Sequence, residues 1–184
     1  MNNKIERVNE IRDSNSLGIY TPTRSDVQIA EIVSEWTKNY GNMLPKSRDE
    51  ILKYFKLGNS IIVRTSNGEL IAHGAIVDTY SNGWAEFGTL ATNSKFRNKG
   101  AGTIATVEVI KQARKQNPNI KIFALANPIS SRLFAKLGAT VLSCELLPPE
   151  VWLPCATCPN SKTSNDNLIF KCCDTPYELT NIAI

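Results

Sequence analysis

The stretch Leu90-Ala91-Thr92-Asn93-Ser94-Lys95-Phe96-Arg97-Asn98-Lys99-Gly100-Ala101-Gly102-Thr103 decides how the rest of the chain is read. Its first residues end a β-prone run that begins at Trp84. Its middle is polar, basic and glycine-bearing. Thr103 to Gln116 then follows a helix pattern, with Ile104, Val107, Ile110 and Ala113 on one face. A helix start exposes backbone N–H groups and the positive end of the helix dipole. Gly100 and Gly102 let those N–H groups approach a phosphate, and Lys95, Arg97 and Lys99 add positive charge beside them. This is the chemistry of a pyrophosphate cradle. It is not a Walker A loop, because no Gly-Lys-Ser/Thr closes it, and its glycine spacing is not that of a dinucleotide-binding fingerprint. A loop that needs glycine for its turn and basic residues for solubility would use the same letters. Its place between a strand and a helix favours the phosphate.

Working upstream, Ser60–Arg64, Leu70–Tyr80 and Trp84–Thr92 read as three strands joined by turns at Asn67-Gly68 and Asn82-Gly83, an antiparallel meander. Before them, Ser47 and Glu50 form a capping box for a helix that buries Ile51, Leu52, Tyr54 and Phe55. An earlier helix, capped by Ser25 or Asp26, carries the stripe Val27, Ile29, Ile32, Val33 and Trp36 and ends at Tyr40-Gly41-Asn42. A short strand is expected at Ile19–Thr23. Downstream, Pro118 stops the helix that follows the loop. A strand at Ile120–Ala126, a helix at Pro128–Leu137 stopped by Gly138, and a last strand at Ala139–Leu147 complete the order. The strand–helix–strand unit in the second half implies a parallel pair attached to an antiparallel front half, so the fold class is α/β (α+β). Residues 1–17 read as a polar leader, 18–147 as one domain, and 148–184 as an extension rich in Pro, Cys, Ser and Asn.

Composition narrows the function classes. The chain has 184 residues, 42% hydrophobic and 21% charged, which excludes disorder, collagen-like repeats and a coiled coil as its main organisation. It has no apolar run long enough for a membrane span. The net charge of +4 suits an anionic ligand, but the basic residues are scattered, which argues against a nucleic-acid partner. The amino-terminal residues lack the apolar core of a signal peptide, so a cytoplasmic location is expected, where the five cysteines stay reduced.

The loop and its setting resemble the GNAT superfamily of N-acetyltransferases. The acetyl-CoA motif of that family is glutamine or arginine, two residues, glycine, one residue, then glycine or alanine, after a strand carrying Leu-x-Val. Leu90-Ala91-Thr92 followed by Arg97 to Gly102 is similar to it. The element order agrees over roughly residues 18–147. Asn127 and the helix end Leu133-Phe134-Ala135-Lys136-Leu137-Gly138 resemble the family's second cofactor segment. Ala85-Glu86-Phe87 and Met43-Leu44-Pro45-Lys46-Ser47-Arg48 are similar to the N-acetylglutamate-synthase-like branch.

The resemblance implies a mixed, mostly antiparallel sheet flanked by helices, and acetyl-CoA-dependent N-acetylation of a primary amine by direct attack in a ternary complex. The acceptor is expected to be a small molecule, an amino acid or related metabolite. It further implies that Leu90, Ala91 and Thr92 run along the pantetheine arm. The segment Arg97, Asn98, Lys99, Gly100, Ala101, Gly102 and Thr103 would hold the pyrophosphate. Asn127 would touch the pantetheine or thiol end, and Arg132 would reach the adenosine phosphates or else form a surface salt bridge. A backbone donor near Leu90 would face the developing oxyanion. Glu86 is the candidate general base, on one face with Gly88 and Leu90 by strand alternation; a surface carboxylate is the competing reading. Lys46 and Arg48 are candidates for a substrate carboxylate, or solvated charges at a helix start. His73, the only histidine, is a possible general base, but a half-buried strand histidine without a catalytic role is the expectation.

Two positions depart from the family. Many GNAT enzymes use a tyrosine as general acid where this chain has Phe134, which has no proton to give. Glutamate-directed relatives often carry an arginine where this chain has Gly88, which weakens the case for a glutamate-like substrate. A non-catalytic acyl-CoA-binding domain and a protein or peptide N-acetyltransferase are the rival functions. A monomer or homodimer is expected.

Cys155-Ala156-Thr157-Cys158 is a C-x-x-C pair, and Cys172-Cys173 follows it. Together these four allow a structural zinc, a disulfide or buried thiols. Some members of the branch have a similar tryptophan–cysteine tail, echoed by Trp152, Cys155, Cys158 and Pro159. Cys144 falls in a strand pattern and is expected in the core.

Overall fold

The computed structural model describes residues 17–39, 43–156, 162–163, 170–171 and 174–182. Most of the expected leader, the helix end at Tyr40-Gly41-Asn42, and Cys158, Cys172 and Cys173 lie outside the described residues. A seven-stranded sheet has the order β1-β2-β3-β4-β5-β9-β6. Its strands are β1 Gly18–Tyr20, β2 Ser60–Arg64, β3 Leu70–Thr79, β4 Trp84–Thr92, β5 Lys121–Ala126, β6 Thr140–Val141 and β9 Thr175–Glu178. Strands β7 (Lys162–Thr163) and β8 (Phe170–Lys171) form a separate antiparallel pair. The helices are α1 Val27–Lys38, α2 Arg48–Lys56, α3 Ala101–Gln116 and α4 Pro128–Lys136. The front half is antiparallel and β4 runs parallel to β5 across α3, as the element order predicts.

The chain divides into two compact units. The first comprises the residues up to Val77 together with Phe87–Pro118. Its core joins Ala30 and Val33 of α1, Ile51, Tyr54 and Phe55 of α2, Ile62 of β2 and Ala75 of β3. Helix α2 starts where the capping box places it: the Ser47 hydroxyl accepts from the Glu50 N–H, and the Glu50 carboxylate accepts from the Ser47 N–H at 2.8 Å. Helix α1 departs from its apolar stripe. Val27 and Ile32 are exposed, and the buried face is Ala30, Val33, Ser34 and Thr37. The loop that returns to α2 selects this face. Ser34 Oγ donates to the Lys46 carbonyl at 2.7 Å, and Thr37 Oγ1 accepts from the Lys46 N–H at 2.8 Å. Asp26 precedes the helix without capping it; its carboxylate instead accepts from Tyr20 Oη and the Thr23 N–H.

The second unit comprises Asp78–Glu86 and the residues from Asn119 onward. Trp84, Phe123, Leu142, Leu147 and Val151 form its core, with Tyr80, Leu125 and Trp152 packed against it. The expected strand Ala139–Leu147 is reduced to Thr140–Val141, followed by a 3₁₀ turn at Cys144–Leu146. Cys144 is therefore exposed, not core. Those two residues pair with β9, Glu178 opposite Thr140 and Tyr177 opposite Val141, and the Leu142 N–H then donates to the Pro176 carbonyl at 3.0 Å. Strand β9 has no counterpart in the sequence reading, yet it lies between β5 and β6, with Tyr177 opposite Ala124. No described helix is long and apolar enough to cross a membrane.

Candidate active site

In the first unit the decisive segment runs from the end of β4 into α3. Along it Leu90 and Thr92 are half-buried and Ala91 is buried. Asn93 turns the chain: its N–H donates to the Ile71 carbonyl at 2.8 Å, and its side chain caps the 3₁₀ turn Ser94–Phe96. Arg97, Asn98 and Lys99 are exposed. Asn98 has φ +62° and Gly100 φ +89°, so two left-handed residues swing the chain onto the start of α3. Gly100 has no side chain with which to cap α3, and no side chain bonds there. The helix start, with Ala101, Gly102 and Thr103 as its first residues, presents its backbone N–H groups beside two exposed cations. This donor set fits a phosphate or pyrophosphate. Lys95 pairs with Glu69 at 3.4 Å, and Lys99 lies over the Phe96 ring.

A second irregularity lies upstream. Thr89 has φ +51° in the middle of β4. Among the described residues, Thr89 and Asn98 are the non-glycine residues with positive φ, and they bracket the cradle. For a β-branched residue this conformation costs on the order of 1–3 kcal/mol. The parallel register of β4 with β5 runs from Trp84–Lys121 to Glu86–Phe123, so Thr89 lies three residues beyond its end. His73 of β3 contacts this left-handed residue. Its ring is fully buried, and Nδ1 lies 2.9 Å from the Thr89 carbonyl. Burial pushes the His73 imidazole down to about 4, against the weaker upward pull of that hydrogen bond. The sequence reading placed this ring half-buried. It is enclosed because β3 is an interior strand and Phe55 of α2 covers the ring, with centroids 5.9 Å apart.

In the second unit Glu86 is half-buried on β4 and accepts a 3.1 Å hydrogen bond from Tyr80 Oη. Burial, then the Glu86 carboxylate, push the Tyr80 hydroxyl far above its usual range. Sequence reasoning missed Tyr80, although the hairpin carries a signal for it. The Tyr80 N–H donates to the Trp84 carbonyl, which makes residues 80 and 86 diagonal neighbours across the two strands. Asn127 caps α4, its Oδ1 accepting from Ile129 and Ser130 N–H at 2.9 and 3.0 Å. Arg132 is exposed on α4.

The family model of the acetyltransferase (GNAT) family matches residues 29–139. The chain belongs to the GNAT family. It is 26% identical over 145 residues to an uncharacterized N-acetyltransferase of Chlorobaculum tepidum, covering 77% of this chain and 89% of that protein. Its fold is similar to that of N-acetylglutamate synthase from Neisseria gonorrhoeae, solved with coenzyme A and N-acetyl-glutamate. The TM-score is 0.67 at 18% identity, over 88% of this chain but only 34% of the synthase. A Mycobacterium tuberculosis protein solved with CoA is similar at TM-score 0.60 and 18% identity, covering 73% and 78% of the two chains.

The GNAT departures acquire a physical setting. A Cβ at Gly88 would meet both methyls of Val77 at 3.1 Å, so Val77 occupies the space an arginine stem would need. Phe134 is buried, its ring 6.1 Å from that of Tyr177. Lys46 and Arg48 already face carboxylates: Lys46 pairs with Glu50 at 3.2 Å, and Arg48 with Asp49 at 3.1 Å and Glu31 at 3.6 Å. The Asp49 hydrogen bond raises the Arg48 guanidinium further still. Cys155 is buried in the 3₁₀ segment Pro149–Ala156. Among the described residues, no group of three or more His, Cys, Asp or Glu is placed to hold a metal.

Proposed function

We propose that this acetyltransferase transfers the acetyl group of acetyl-CoA to a primary amine of a small molecule, an amino acid or related metabolite, in a ternary complex. The cradle that follows β4 is the observation that carries the reading, because its helix start, which no side chain caps, and its left-handed residues suit a pyrophosphate. The N–H groups around Gly100–Thr103, with Arg97 and Lys99, would hold the pyrophosphate, and Leu90–Thr92 the pantetheine arm. Asn127 and Arg132 are proposed as further contacts to the cofactor. The relatives solved with coenzyme A or CoA support that ligand.

Acetyl-CoA supplies an activated acyl group when bound. The chain's own groups bind it, orient the acceptor and take up a proton. An amine attacks only when neutral, and Glu86 is proposed to accept its proton. Tyr80 steadies that carboxylate with its 3.1 Å hydrogen bond. Val77 in the space beside Gly88, and the ion pairs that already hold Lys46 and Arg48, favour an acceptor other than glutamate.

A thermal-shift titration with acetyl-CoA, CoA and ATP, followed by a panel of amines, tests the proposal. Ligand at one hundred times its dissociation constant stabilises a fold by about 2.7 kcal/mol. Stabilisation by acetyl-CoA and CoA, with turnover of a small amine, is expected. No response at millimolar acetyl-CoA overturns the cofactor site. Binding without turnover of any amine favours the acyl-CoA sensor instead, and preference for a peptide amine favours the protein acetylase.

A further inference from the structure

Left-handed Thr89 and buried His73 together carry an inference that rests on the proposed acetyl transfer and deepens it. A carbonyl accepts hydrogen bonds and cannot donate them, so the 2.9 Å contact requires His73 Nδ1 to carry the proton. Nε2 then holds the lone pair, and it is buried with no hydrogen-bond partner among the described residues. A ring chosen for packing alone would be a poor choice here, because an apolar side chain would leave no buried nitrogen unbonded. What His73 adds to the core is one donor, aimed at one carbonyl.

That carbonyl belongs to the peptide between Thr89 and Leu90. In a planar trans peptide the C=O and the N–H point in opposite directions. Holding the Thr89 oxygen against His73 therefore turns the Leu90 N–H away from the core face that His73 shares with Phe55. A threonine at φ +51° does not hold this orientation by its own preference and relaxes unless something opposes it.

We propose that His73 is a positioning residue that locks the Thr89–Leu90 peptide, so that the Leu90 N–H faces the carbonyl oxygen of the acyl group being transferred. The donor stabilises charge that develops on that oxygen. It is effective because it is fixed before the reaction begins. His73 itself touches neither acyl group nor acceptor.

Three measurements on the full chain test the lock. His73 is the only histidine, so its ¹⁵N resonances need no assignment. Near neutral pH they should show the Nδ1–H tautomer, and a proton on Nε2 overturns the proposal. Next, His73→Leu should lower kcat roughly 10- to 100-fold, the scale of a small misplacement at a reacting centre. Its dissociation constant for CoA should stay close to that of the wild type. His73→Asn, which keeps a donor near the Nδ1 position, should recover most of the loss. Equal losses in both variants overturn the proposal, as does weakened CoA binding with kcat unchanged. Finally, glycine adopts positive φ without strain. In a Thr89→Gly background the His73→Leu effect on kcat should shrink, and full additivity overturns the lock. Failure of the wild type to bind CoA or transfer acetyl overturns the parent reading and the lock together. An active wild type with insensitive variants overturns the lock alone.

Discussion

Tyr80 Oη donates to Glu86 Oε2 at 3.1 Å, although the two are six positions apart along the chain, across a tight turn. The Tyr80 ring is also held by Phe123, with centroids 5.9 Å apart, so the hydroxyl is aimed by packing. A hydrogen bond to a carboxylate favours its charged form. Removing it with Tyr80→Phe, which keeps the ring, should move the acid limb of the kcat/KM profile to higher pH with little change in folding. Glu86→Gln should lower turnover roughly 100-fold and flatten that limb, the usual scale for a lost general base. Unchanged profiles in both variants would remove Glu86 from the mechanism.

Gly100→Asp probes the cradle. Aspartate tolerates left-handed backbone better than most residues, so the strain at φ +89° should cost about 1 kcal/mol and leave the protein folded. The carboxylate would meet a pyrophosphate directly. Affinity for acetyl-CoA should fall at least 10-fold by calorimetry, a loss of about 1.4 kcal/mol, with the melting temperature of the unliganded protein lowered by only a few degrees. Unaltered affinity would mean that the phosphates bind elsewhere.

His73 gives the fold a predictable weakness in acid. The buried imidazole titrates at about 4, against 6.5 for an exposed one. Between those two values the unfolded chain binds a proton that the folded chain does not. Stability therefore falls as pH drops from 6.5 toward 4, by on the order of 3 kcal/mol for the full shift, and this contribution is constant below. Urea unfolding of wild type and His73→Asn across that range should give curves that diverge, with the wild type showing the steeper fall. Parallel curves would mean that the ring is solvated.

Gly88 is a test of room. The two Val77 methyls stand 3.1 Å from where a Cβ would lie, so Gly88→Ala should overpack the site and cost roughly 1–3 kcal/mol. Val77→Ala in the same chain should return most of that loss, seen as non-additive denaturation midpoints.

Local rules were legible where the residues decide alone. The Ser47–Glu50 box, the meander from Ser60 to Thr92 and the stop at Gly138 all sit where their letters place them. The face of α1 was not legible, because a loop carbonyl and N–H at Lys46 select Ser34 and Thr37 over the larger Ile32. Thr175–Glu178 reads Thr-Pro-Tyr-Glu and carries a residue that breaks strands, yet it fills an interior place in the sheet. Of the candidate site, the cradle was visible as a motif. The left-handed Thr89 and its histidine were not, since a threonine and a histidine in two strands give no sign of a positive φ.

The place of β9 also orders events in time. Strands β5 and β6 do not pair with each other; each pairs with β9. A ribosome that has delivered Ala139 has made β5 and α4 but not the strand between β5 and β6. Until Thr175–Glu178 emerges, one edge of β5 remains open to strands of other chains. Completion of this half of the sheet therefore waits for Thr175–Glu178, and a protein cut short before Thr175 would be released with that edge still bare.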